Sequence, residues 1–229
     1  MPEFDSTLLL ATLRTELRAA WATIHAAHAQ DQLYGFGVYT TDAASYLMVT
    51  AFSEAGLEAG VASYLASKRG KGQDAALQRE TLRWSPCDSP LHEAGEDLLP
   101  ESDALVQELD AGGGDEEDGE DEDDFDEDDD DFDESDETDP ALAAVFDVAV
   151  QALQEMDHDG LFGVGAERER LVLCVWKGDQ SNVERYEFAK ALNPPAVARR
   201  FGEEMNAGLR AFYKLHMPDV ELPEDDVFD

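Results

Sequence analysis

Three carboxylates at alternate positions, Glu155, Asp157 and Asp159, precede Gly160. A calcium-binding loop spaces its first ligands and its turn glycine this way. Such a loop closes with a bidentate Glu at its twelfth position. Here that position is Ala166, and Glu167 comes one residue late. Asp157-His158-Asp159-Gly160 also reads fully as a helix stop, and that account outweighs the metal one. His25 and His28 fall three apart in a helical pattern, a spacing open to a metal pair, but no third ligand of suitable type is close in sequence. Packing, or charge at a helix end, explains them better. Cys87 and Cys174 match no metal or redox spacing, so both are expected to be buried, reduced thiols in a reducing compartment. Neither has a sequence-local partner that would activate a thiolate. Gly70-Lys71-Gly72 is too short to cradle phosphate and follows no strand. No catalytic residue and no cofactor is assigned. An enzyme would instead show a pocket gathering titratable groups, and Trp84, Tyr34, His28 and Asp157 are the first residues to compare in space.

The elements that must position these residues follow from periodicity. Asp5, Ser6 and Thr7 supply capping chemistry. Leu10, Leu13, Leu17, Trp21 and Ile24 then form one apolar stripe, predicting an amphipathic helix that reaches about His28. Leu33 to Tyr39 and Ser45 to Phe52 read as two strands of a hairpin. Gly35 and Gly37 inside the first strand predict close backbone packing. Ser53 caps a helix carrying Leu57, Val61, Tyr64 and Leu65, ended by Lys68-Arg69-Gly70. Thr81 to Trp84 reads as a short third strand. Leu98, Leu105 and Leu109 suggest a short helix after Pro100. Leu142, Val145, Phe146, Ala149, Leu153 and Met156 make a second clean stripe. Arg170 to Trp176 is the most continuous apolar run and predicts a buried strand. Ser181 to Leu192 reads as a short helix. Asn193-Pro194-Pro195 opens a last helix, with Asn193 as its cap and Pro in its first turn, lined by Val197, Phe201, Met205, Leu209 and Phe212.

Charge supplies the other signal. The 229 residues carry 16 basic and 54 acidic side chains, a formal charge of −38. From Asp115 to Asp139, 20 of 25 positions are Asp or Glu and none is Lys or Arg. Like charges at every i,i+4 pair repel, so residues 111–139 are expected to be a disordered insertion, spanning ~25–35 Å as a flexible coil. Three roles fit the run: a solubilising insert, a low-affinity store of divalent ions, or an arm for a basic protein anchored by Phe125 and Phe132. Lys68, Arg69 and Lys71, a tight basic cluster, could hold it in cis. This balance argues against direct binding to nucleic acid or an anionic membrane and favours basic partners. No apolar run approaches the ~20 residues of a membrane-spanning helix, and the N-terminus lacks the pattern of a secretion signal. The cytoplasm is the expected location.

The expected fold class is therefore α+β, a single domain with a small, mainly antiparallel sheet packed against amphipathic helices. Residues 1–110 and 140–217 would be its two parts, 111–139 the interruption and 218–229 an acidic tail. Four motifs carry a resemblance: Leu33-Tyr-Gly-Phe-Gly-Val-Tyr-Thr40, Trp84-Ser85-Pro86, Leu153 to Gly163 with its Met156-Asp157 and Gly160-Leu161-Phe162, and Leu192-Asn193-Pro194-Pro195. In this order they resemble the bacterial domain-of-unknown-function 4303 family over most of residues 5–215, leaving out the acidic run. The resemblance implies one small cytoplasmic α+β domain and no assigned catalytic residues. It also suggests a setting like that of immunity proteins, which neutralise toxins. The expected function is a protein-interaction module for a basic protein partner. The alternatives are an enzyme with an unrecognised site, or a housekeeping protein whose charge keeps it soluble.

Overall fold

The computed structural model describes residues 4–95, 97–113, 140–178 and 180–222. Helix α1 (Ser6–Ala27) starts where Asp5 accepts hydrogen bonds from the backbone N–H of Thr7 and Leu8. It buries Leu9, Leu13, Leu17, Ala20 and Ile24. Strands β1 (Leu33–Thr40) and β2 (Met48–Ser53) pair antiparallel, as the hairpin pattern requires. Ser53 caps α2 (Glu54–Ala66) by accepting from the N–H of Gly56.

Residues Thr81 and Leu82 are helical, which corrects the expected third strand there. They end α3 (Ala75–Leu82), whose cap Asp74 accepts from the N–H of Ala76 and Leu77. The capped run Ala75-Ala-Leu-Gln-Arg-Glu80 favours helix strongly enough to carry Thr81 with it. The short α4 (Pro90–Glu93) and α5 (Pro100–Gly113) follow. Glu16 of α1 caps α5 across space, accepting from the N–H of Glu101 and Ser102 at 2.8 and 2.9 Å.

Beyond the acidic run come α6 (Pro140–His158), β3 (Val172–Lys177), α7 (Asn182–Leu192) and α8 (Pro195–His216). Strand β3 pairs in parallel with β1, giving the order β2-β1-β3. The sheet is thus mixed, with one antiparallel and one parallel ladder, and its strands come from both sides of the run. The chain is α+β, with eight α-helices among the described residues.

Both faces of the sheet are buried. Leu173 and Val175 face one core with α1, α5 and α6, while Val172, Cys174 and Trp176 face the other with α2, α3 and α8. This is the period-2 alternation of a strand covered on both sides. Gly35 and Gly37 leave room on the second face. A Cβ on Gly37 would stand 1.8 Å from the Cys174 carbonyl oxygen and 2.8 Å from the Trp176 ring. Asn193, expected as the cap of α8, does other work. Its amide donates to Leu173 O and Ala189 O and accepts from Leu173 N–H, joining α7 to the free edge of β3. Pro194 takes the cap position of α8, with Pro195 in its first turn. No described helix is long and apolar enough to cross a membrane.

Candidate functional site

Several titratable side chains gather where the parallel strands β1 and β3 end. A cleft of about 600 Å³ opens there between α3, α7 and α8. Tyr39 comes from β1, and Lys177 and Gly178 from the end of β3. Asn182 and Arg185 come from the first turns of α7, and Cys87 from the 3-10 turn Pro86–Asp88. Leu82, Met205, Leu209 and Phe212 form an apolar wall. The crevice opens there because β1 turns away into the loop to β2 and β3 into α7.

Lys177 is held by Glu184 at 2.8 Å and Asp42 at 3.4 Å. Burial, and then the neighbouring Cys87 and Tyr46, push the Tyr39 phenol up to about 12. Arg185 is half-buried, and its Nε has no hydrogen-bond partner among the described residues. Burial draws its pKa down from the ordinary value. The thiol of Cys87 is exposed, which corrects the expectation that both cysteines are buried. A turn opening with Ser85-Pro86 at the cleft's mouth leaves its middle residue facing solvent. Cys174 is buried against β1, and burial pushes its thiol well up.

The four residues chosen for comparison in space do not converge. Tyr34 and Trp84 pack edge to face, with ring centroids 5.0 Å apart. Tyr34 donates to Arg83 O at 2.7 Å, and Trp84 Nε1 donates to Glu204 at 3.0 Å. Arg83 lies over the Tyr34 ring and pairs with Glu54 and Glu204. This is a closed network in which each polar group has a partner. His28 pairs instead with Asp31 at 2.7 Å, and His25 stacks on Trp21.

Asp157 belongs to a third place. It meets Arg168 Nε at 2.6 Å, and Arg168 also donates to Leu171 O, Leu192 O and Asn193. Glu155 faces the other way, to Arg14 at 2.6 Å, and Asp159 joins Arg14 and Arg18. The three candidate calcium ligands therefore face arginines in two directions. Gly160, at φ 77°, closes α6 with hydrogen bonds from Gly160 N–H to Asp157 O and from Leu161 N–H to Met156 O. That is the glycine helix stop. Among the described residues no group of three His, Cys, Asp or Glu could hold a metal ion. Phe125 and Phe132 lie outside the described residues, as does any docking of the acidic run on Lys68, Arg69 and Lys71.

Sequence reasoning missed the cleft. Cys87 and Arg185 lie on opposite sides of the acidic run, and no local spacing links them. It also missed the full extent of the charge pattern. From Trp84 to Glu167 the chain contains no Lys or Arg. Within that stretch, Glu93, Asp97, Glu101 and Glu108 are exposed and hold no ion pair with a described residue.

A two-faced mixed sheet whose strands flank an acidic interruption defines an α+β protein of the kind the four motifs suggested. The chain belongs to the family described as domain of unknown function DUF4303, which matches residues 13–194. No curated protein and no solved structure gives a match.

Proposed function

We propose that this protein is an interaction module that binds a basic protein partner through the side carried by residues 84–167. The single observation behind this reading is the absence of any Lys or Arg from that stretch. On α6, at the end of that stretch, arginines from outside it answer the carboxylates: Arg14 and Arg18 hold Glu155 and Asp159, and Arg168 holds Asp157. On α4 and α5 the exposed acids have no such answer among the described residues, and the acidic run continues the same sign. A field of one sign raises the encounter rate with a cationic surface and selects against anionic ones. A role like that of an immunity protein, covering a basic toxin, is one form of this reading. Two free thiols, one exposed, suit a reducing cytoplasm.

The test is affinity capture with three versions of the chain: intact, lacking residues 114–139, and carrying E93Q, D97N, E101Q and E108Q together. The expected result is a basic protein held by the intact chain, lost on neutralisation, with an association rate that falls steeply with salt. Capture unchanged by both alterations would reject the proposal. The enzyme reading keeps one supporting observation, the cleft with Tyr39, Cys87, Lys177 and Arg185. Turnover abolished by C87A, with partner capture unaffected, would favour it.

A further inference from the structure

We propose that the cleft at the ends of β1 and β3 binds a small organic anion, its charged head on Arg185 and its apolar or aromatic body on Leu82, Met205, Leu209 and Phe212. The argument starts from an inventory of arginines. Arg14, Arg18, Arg79, Arg83, Arg168 and Arg200 are each at least partly buried, and each has a carboxylate within ion-pair distance. Arg69, Arg170, Arg199 and Arg210 are exposed. Among the described residues, Arg185 is the one arginine that is neither exposed nor ion-paired. Its Nε is buried with no hydrogen-bond partner. In a protein of net charge −38, a carboxylate for this guanidinium would be easy to supply. A charge removed from water without a counter-ion costs free energy, and an anion that pairs with it recovers that cost. The planar fork of a guanidinium suits a carboxylate or a phosphate.

The surroundings agree with this. Cys174, Tyr39 and Cys87 face Arg185, none charged in its protonated form, and Glu184 is the carboxylate that acts on it, from beyond ion-pair distance. The carboxylates near the cleft are mostly occupied. Glu184 holds Lys177 and the Ser181 cap, Glu204 holds Arg83 and Trp84, and Asp88 accepts from Ser85. Glu80 lines the rim and is exposed. Lys177 is neutralised by Asp42 and Glu184, so among the described residues lining the cleft Arg185 is the cation without an ion pair. The first turn of α7 brings Asn182 alongside, with the positive end of an 11-residue helix behind it. The apolar wall then sets the chemistry of the rest of the ligand. A bare inorganic anion would leave Leu209 and Phe212 uncovered, whereas an aromatic or short aliphatic body would cover them.

The test uses phenyl phosphate and inorganic phosphate as probes against the full chain, read by calorimetry and by the rate of Cys87 alkylation with iodoacetamide. Phenyl phosphate is expected to bind at least tenfold more tightly than inorganic phosphate and to slow alkylation of Cys87. R185Q should lose tenfold or more in affinity and all of the protection, R185K less, and the distant R199Q nothing. F212A should weaken phenyl phosphate and leave inorganic phosphate unchanged, and it reports on the site even if R185Q fails to fold. Far-ultraviolet circular dichroism checks the fold of each variant. No saturable binding, equal binding by folded R185Q and wild type, or unchanged Cys87 reactivity would overturn the proposal. None of these outcomes bears on partner capture by the acidic side.

Discussion

Replacing Arg168 by Met should be among the most damaging single changes in the chain. Arg168 is 6% exposed. Its guanidinium meets Asp157 at 2.6 Å, donates to Leu171 O at 2.7 Å, and donates to Leu192 O and Asn193 Oδ1 at 3.1 Å each. It therefore ties the end of α6 to the start of β3 and the end of α7. Met retains much of the apolar stem, so the loss is almost wholly polar. Asp157 is left as a charge with only 24% of its side chain exposed, and two buried carbonyls lose their donor. Breaking one side of a buried pair costs about 3–5 kcal/mol. With a urea dependence of about 2–3 kcal/mol per molar, the midpoint should fall by about 1–2 M. D157N strands the Arg168 charge but leaves it its carbonyl and Asn193 acceptors, so it should cost less than R168M, about 2–3 kcal/mol. The double variant should cost less than the two losses added, because the stranded Asp157 charge is gone. The assay is urea unfolding followed by tryptophan fluorescence. An R168M loss under about 1 kcal/mol, or one no larger than that of D157N, would refute this account of the junction.

Other positions yield equally definite outcomes. G37A should cost about 3 kcal/mol or more, or give no folded protein, because its Cβ would strike the Cys174 carbonyl; a melting temperature within a few degrees of wild type would contradict the packing. E16A should cost about 1 kcal/mol in urea unfolding by uncapping α5, with hydrogen exchange rising first at Glu101 and Ser102. In alkali, burial holds the phenols of Tyr34 and Tyr39 and the Cys174 thiol above their ordinary values of 10.0 and 9.0. A group whose folded pKa is raised gives stability that is full below its unfolded value and lost as pH climbs towards the folded one. Stability should therefore fall from about pH 9 upward, with Tyr39 ionising near 12, and near-ultraviolet absorbance should show phenolate formation trailing that of free tyrosine. Millimolar calcium should leave the melting temperature unchanged in a chain lacking residues 114–139, because arginines already hold Glu155, Asp157 and Asp159.

What the sequence made legible was local. The stripes of α1 and α6 placed Leu13, Leu17, Ile24, Val145, Leu153 and Met156 in the core, and the alternation around Phe36 gave the hairpin. Asp5 and Ser53 announced their caps because a cap acts within three residues. Thr81 to Trp84 misled because four residues cannot show a period, and the cap at Asp74 governed them. The parallel ladder of β1 with β3 was not legible, because nothing in either strand names its partner across the acidic run. The same separation hid the meeting of Cys87, Tyr39 and Arg185, and it hid the role of Arg168, whose partners come from three elements. Asn193 before Pro194-Pro195 reads as a helix cap; its bonds to Leu173 depend on the strand beside it.

The ladder joining β1 to β3 also bears on the protein's birth. A ribosome delivers the hairpin early and the strand that covers its second edge much later, after the whole acidic run. Until Val172 to Lys177 emerge, the central strand has an open edge, the kind of surface on which unfinished chains pair with one another. A newly made chain at that stage carries twenty like charges between the open edge and its missing neighbour. Two such chains repel before their edges can meet. On this view the run acts during synthesis as a built-in spacer between sibling chains. Shortening it should first lower the yield of protein made in the cell, before it changes the stability of the finished molecule.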